Sequence, residues 1–327
     1  MIPEKLKKGD MVRVIAPSRS MALPWITEEI KQIAAKRFEQ MGLEVSFGKH
    51  VMEKDKYDSS SIKSRVDDLH DAFQDPEVRM VITIMGGWNS IDIVPHLDYE
   101  LIKLNPKIFC GYSDITTIAN AIHAKTGLVT YSGPHFFDFG EKNGFDYTLD
   151  YFKKCLMSKE AFEVEPSSKW SNDRWTKDQE NRKFEKNEGI RSINEGKCKG
   201  TIIGGNLITL HNLSVTPYAP SFWDKILFVE EDENEFVTTF FMRLTSLTYR
   251  PDFSGVRGIV IGRFQPESSI TDYDIRFLVS KNPTLQKIPI ISGVDFGHTT
   301  PKITFPIGGE MKIESKKGNV RLDILKH

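Results

Sequence analysis

Cysteine is scarce in this 327-residue chain: Cys110, Cys155 and Cys198 are odd in number, far apart and without a C-x-x-C pair. Such spacing excludes a disulfide framework and a zinc ribbon, and it fits a reducing compartment. Long apolar runs are missing too. No stretch approaches the ~18–20 residues of a membrane span, and "MIPEKLKKGDMVRVIAPS" lacks the apolar segment and cleavage site of a secretory signal. Neither sign of charge prevails, since 44 Lys+Arg against 45 Asp+Glu leave a net charge of −1. No basic field invites a nucleic-acid polymer, and no acidic tail stands out. Signature motifs are also absent: there is no H-E-x-x-H, no G-x-x-x-x-G-K-[ST], and no G-x-G-x-x-G opening a helix. "DFG" occurs at 138–140 and 295–297, but without a kinase's Gly-rich loop, V-A-I-K or H-R-D. The expectation is a soluble cytoplasmic protein that touches no membrane.

What is present reads as an ordinary globular chain, 39% hydrophobic and 27% charged, long enough for two domains. Strand and helix signals alternate up to about residue 135. "MVRVIAPS" and "LEVSFG" read as strands, and "VRMVITIMGG" and "KIFC" as continuous buried ones. Ile26, Ile30, Ile33, Ala34, Phe38 and Met41 recur at helical spacing before Gly42, as do Ile62, Val66, Leu69 and Phe73. Continuous apolar strands between helices predict a parallel sheet covered on both faces, an α/β unit of Rossmann or flavodoxin type over 1–140. Residues 141–199 turn polar, and Trp170 and Trp175 stand out in "PSSKWSNDRWTKDQENR". They are read as a linker with an exposed Trp-bearing substrate loop, since long loops in compact proteins are functional or disordered and disordered ones lack aromatics. From 200 to 327 short strands dominate ("GTIIGG", "KILFVEE", "GIVIGRF", "IPIISGV", "KITFPIG", "EMKIES"), with helices near 234–247 and 271–281. These predict a β-rich mixed domain.

The chemistry centres on "IFCGYSDITTIAN". A buried strand ends at Cys110, and Ile115, Ile118, Ala119 and Ile122 begin a helical stripe, so Ser113 stands where strand becomes helix. It is either a helix cap, a role open to Asp114 as well, or a nucleophile with the Ser113 and Asp114 N–H groups at a helix N-terminus. The turn resembles a nucleophile elbow but lacks the second glycine of G-x-S-x-G. A serine nucleophile needs a base, a group that orients the base, and backbone donors for the oxyanion. Gly86 and Gly87 of "IMGGWNS" end a neighbouring strand and allow close backbone approach, as an ordinary glycine turn also would. Of the eight histidines, His298 beside Gly297 is the preferred base, with His96, His135 and His211 in reserve. Glu230 closes "KILFVE" and is the acid of that run which a strand holds rigidly.

The combination "IMGGWNS…KIFCGYSDIT", "GTIIGGNLITL", "KILFVEE" and "ISGVDFGHTTPKITFPIG" resembles the LD-carboxypeptidase / microcin C immunity protein family, from about residue 8 to about 315. The resemblance implies a Ser-His-Glu serine peptidase, with Ser113 as nucleophile, His298 as base and Glu230 as orienting acid. It also implies an oxyanion hole made by the Asp114 N–H and one from Gly86-Gly87, no metal or organic cofactor, and a homodimer. The tryptophan loop is similar to that of the immunity branch, which cleaves the amide of aminoacyl-nucleotide conjugates. Trp170 or Trp175 would there stack on the base, unless both merely pin the loop to the surface, and Asn206 of "GGNL" would lie near the substrate. The alternatives are an LD-carboxypeptidase removing D-alanine from murein tetrapeptide, and a non-catalytic binder of nucleotides or peptides.

Overall fold

A computed structural model describes residues 1–327. The first sheet carries β1 (Met11–Ile15), β2 (Glu44–Phe47), β3 (Val78–Thr83), β4 (Ile108–Cys110) and β5 (Thr130–Ser132) in the parallel order 2-1-3-4-5. That is the flavodoxin-type order, in which ligands bind outside the carboxyl ends of the strands near the reversal between β1 and β3. Alternate side chains of one strand reach opposite faces: Val81 of β3 enters one core, and Met80 and Ile82 on either side of it enter another. The helices between these strands, α1 (Glu28–Gln40), α2 (Ile62–Gln74), α3 (Tyr99–Leu104) and α4 (Thr116–Thr126), cover both faces.

The segment read as a linker is more structured than its polarity suggests. Helix α5 (Asp146–Leu156) buries Tyr151, Phe152, Cys155 and Leu156. The short strands β6 (Phe162–Glu163), β7 (Lys169–Trp170), β8 (Glu185–Lys186) and β9 (Arg191–Asn194) follow. A narrow apolar stripe within a charged stretch suffices for α5, because the helix needs only one face for the core.

The second sheet holds eight strands in the order β6-β16-β15-β10-β11-β12-β13-β9. Its parallel centre is β10 (Gly196–Asn206), β11 (Lys225–Glu230), β12 (Gly258–Gly262) and β13 (Ile290–Val294). The hairpin β15 (Glu310–Lys316) and β16 (Asn319–Lys326) flanks it, while β14 (Phe305–Ile307) crosses back to pair antiparallel with β5. Three helices rather than two cover the outer face: α6 (Leu207–Ser214), α7 (Val237–Thr248) and α8 (Asp272–Lys281). The sequence hides α6, because only Gly204-Gly205-Asn206 separate its short apolar "LITL" from the apolar end of β10. Ile226 and Phe228 of β11 share one core with the first sheet, whereas Leu227 and Val229 face α6 and α7. No helix is long and apolar enough to cross a membrane.

Candidate active site

The chain leaves β4 at Cys110 and reaches Ser113 in the left-handed region, with φ +60°. A side chain is rarely held there, because its Cβ crowds the following carbonyl, at roughly 1–2 kcal/mol. The strain does not serve a cap: neither Ser113 nor Asp114 makes a side-chain capping bond at this helix start. Instead the Asp114 carboxylate accepts from Ser18 Oγ at 2.6 Å and from the Ser90 N–H at 2.9 Å. The serine turn is thereby tied to the loops after β1 and β3. Burial pushes the Asp114 carboxyl above its ordinary range, and those hydrogen bonds hold it back.

Three groups from distant parts of the sequence meet at Ser113. Its Oγ lies 2.9 Å from His298 Nε2, and His298 Nδ1 lies 2.7 Å from Glu230 Oε2. A carboxylate only accepts, so Nδ1 carries the proton, and Nε2 is left to accept from the serine hydroxyl. Glu230 is 2% exposed and His298 keeps 18% of its side-chain surface exposed. Burial pulls the imidazole pKa down, but the Glu230 charge and hydrogen bond outweigh it, so the value stands above the ordinary 6.5.

Strand geometry selects the glutamate. Glu230 continues the alternation of Ile226 and Phe228 toward the first sheet, while Glu231 turns to the α7 side and meets Arg243 at 3.1 Å. Burial and the neighbouring Glu230 push the Glu231 carboxyl up to about 8. Gly297, at φ +109°, passes so close to Glu230 that a Cβ would stand 2.7 Å from Oε2. Only glycine fits there.

Hydrogen bonds between the two sheets set the register of the meeting. Asn120 of α4 pairs with Gly204, accepting from its N–H and donating to its C=O, both at 3.0 Å, and Thr116 Oγ1 accepts from the Asn206 N–H at 3.0 Å. Because β10 pairs with β11 up to Asn206↔Glu230, the helix that follows Ser113 is docked beside the strand that carries Glu230.

Gly86 and Gly87 part company. A Cβ on Gly86 would stand 2.9 Å from Ser113 Cβ, 3.0 Å from its Oγ and 3.4 Å from the Asp114 nitrogen. Gly87 packs against Ser18 and Arg19 instead. Asn206 is buried, and its side chain caps α6 by accepting from the Thr209 N–H at 3.3 Å. The reserve histidines lie elsewhere: His96 is exposed, His211 meets Ser246 at 2.8 Å, and His135 is buried against Thr83 with its ring 4.3 Å from that of Tyr112.

The two tryptophans face different cavities. Trp175 stacks on Phe137, ring centroids 5.1 Å apart, and lines a cavity of about 300 Å³ with His298, Tyr112, Lys302, Trp25 and Asp232. Trp170 lies with Arg263, 4.9 Å from ring to guanidinium, along a separate cavity of about 380 Å³. The loop is pinned next to the histidine turn by Ser171 and Thr300, which exchange backbone hydrogen bonds at 2.7 and 3.0 Å. Tyr112, Phe137 and Lys302 went unread in the sequence. Tyr112 alone had a signal, as the neighbour of Ser113.

Models of the LD-carboxypeptidase N-terminal and C-terminal domains match residues 12–133 and 199–313. The crystal structure of an MccF-like protein from Bacillus anthracis str. Ames superposes with a TM-score of 0.98 at 51% identity, all of both chains covered. The microcin C7 self-immunity protein MccF of Escherichia coli is 29% identical over 296 residues, 87% of this chain and 85% of its own. Its structure with glutamyl sulfamoyl guanosine gives a TM-score of 0.89 at 27% identity, covering 99% of this chain and 98% of the other. A probable murein peptide carboxypeptidase of Bacillus subtilis (strain 168) is 30% identical over 311 residues, 94% of this chain and 90% of its own.

Proposed function

From the premise that this chain belongs to the LD-carboxypeptidase family of serine-type carboxypeptidases, we propose that it hydrolyses the amide of aminoacyl-nucleotide conjugates through Ser113, His298 and Glu230. The observation that carries the reading is the unbroken hydrogen-bond chain from Glu230 through His298 to Ser113. In the proposed reaction His298 Nε2 takes the Ser113 proton as Oγ attacks the scissile carbonyl. Glu230 holds the ring and stabilises the imidazolium, which then protonates the leaving amine, and water hydrolyses the acyl-enzyme. The Asp114 N–H and a Gly86 N–H receive the oxyanion. A purely binding role leaves the strained serine and its buried partners without purpose.

The nucleotide preference rests on Trp175, which lines the cavity of His298 and offers a flat face to a base. The resemblance to the murein enzyme supports a second reading, in which the same residues remove D-alanine from a tetrapeptide. The proposal extends to a cytoplasmic homodimer, as the family resemblance implies; sedimentation at a dimer's mass checks the assembly. A fluorophosphonate probe tests the nucleophile: it should label the wild type and not Ser113→Ala. Equal labelling of both proteins, or none of the folded wild type, counts against the mechanism.

A further inference from the structure

The cavity beside His298 holds a cation to which the mechanism gives no task. Lys302 follows the histidine turn, is 5% exposed, and lines the cavity together with His298, Tyr112 and Trp175. Its Nζ donates no hydrogen bond within the protein. The facing carboxylate oxygen, Asp138 Oδ1, is 3.7 Å away, and the Tyr112 ring centroid is 4.9 Å away. Buried ion pairs elsewhere in this molecule close to contact, as Arg263 and Asp295 do at 2.8 Å. Asp138 already accepts from the His135 N–H at 2.8 Å, so Lys302 is not its sole partner. An ammonium has three donors, and holding it out of water is costly unless an acceptor meets it. At Lys302 the donors face the cavity.

We propose that Lys302 is a specificity-determining residue that receives a carboxylate carried by the substrate close to the scissile amide; this rests on the hydrolase reading above. The remainder of the lining favours a single anionic group: Asp173, Asp232 and Glu233 also border the cavity and repel further negative charge, while its other cation, Arg174, lies 3.8 Å from Glu233. The carboxylate has two sources with the same chemistry. It is the side chain of an acidic acyl residue, or the terminal carboxylate of a departing amino acid.

Calorimetry on the full-length Ser113→Ala protein, which binds without turnover, separates these cases. One ligand pair is aspartyl and asparaginyl sulfamoyl adenosine; the other is a murein tetrapeptide and its C-terminal carboxamide. Within one pair the carboxylate should bind about 10- to 100-fold tighter than the amide, as a charge-assisted hydrogen bond implies, and that pair identifies the source. Lys302→Gln should erase the preference, and Lys302→Met, which keeps the buried stem, should do the same if the glutamine variant does not fold. Equal affinity within both pairs overturns the proposal, as does a preference that survives either substitution. Failure of all four ligands to bind overturns the hydrolase reading itself.

Discussion

Gly86→Ala is the sharpest test of how closely the loop after β3 is fitted to the serine. Gly86 does not require a left-handed backbone, so alanine is conformationally acceptable there. The difficulty is space: the added Cβ stands 2.9 Å from Ser113 Cβ and 3.0 Å from its Oγ, whereas carbon atoms settle at about 3.5–4.0 Å. Something must yield by roughly 0.5–1 Å. Ser113 is bonded to His298 at 2.9 Å, so its retreat lengthens the bond through which its proton leaves. A misplacement of about 1 Å costs ~10²-fold in rate, and loss of an oxyanion donor costs ~10²–10³. Overpacking costs about 1–3 kcal/mol, which for 327 residues at ~2.1 cal/mol/K per residue lowers Tm by only about 1–4 °C. The expected variant is therefore folded and at least ~100-fold slower, in hydrolysis and in fluorophosphonate labelling alike. Wild-type rates in a protein with alanine at 86 would refute the fit.

Glu230→Gln removes the charge that lifts His298 above 6.5. Wild-type kcat/KM should rise with pH through a value above 6.5, as the imidazole loses its proton. In the variant that limb should move to lower pH while the plateau falls by ~10²–10⁴; an unmoved limb would detach Glu230 from the base. Trp175→Ala should weaken a nucleotide conjugate by about tenfold or more in titration calorimetry, while Trp170→Ala, which alters the other cavity, should change it less than about twofold. Equal losses would contradict the assignment. Asn120→Ala leaves the Gly204 N–H and C=O unpaired between the sheets. It should cost about 2–4 kcal/mol in denaturant unfolding and reduce kcat more than it raises KM; unchanged stability would remove Asn120 from the docking.

Much of this arrangement was legible before any coordinates. The helix-covered parallel sheet follows from apolar strands alternating with striped helices, though its 2-1-3-4-5 order does not, and Glu230 stands out because it closes a continuous apolar strand. Ser113 and His298 lie at turns beside glycine, where side chains project from fixed backbone. The remainder depends on long-range packing that spacing cannot encode. Trp170 and Trp175 look equivalent in the chain and separate only because Ser171 bridges Thr300. Lys302, one residue after a proline, carries no sequence signal of burial. Its burial arises where the Lys302 N–H meets Thr148 of α5, a helix disguised by its charged neighbours. Asn206 caps α6 through its side chain, and that helix is short and follows β10 directly.

The most direct measurement is hydrolysis of aspartyl sulfamoyl adenosine and of a murein tetrapeptide ending in D-alanine, by the wild type and by Ser113→Ala. The account predicts cleavage of the nucleotide conjugate by the wild type and its loss in the variant. Cleavage of the tetrapeptide alone would keep the serine mechanism and contradict the nucleotide reading, and turnover that survives Ser113→Ala would contradict the mechanism itself.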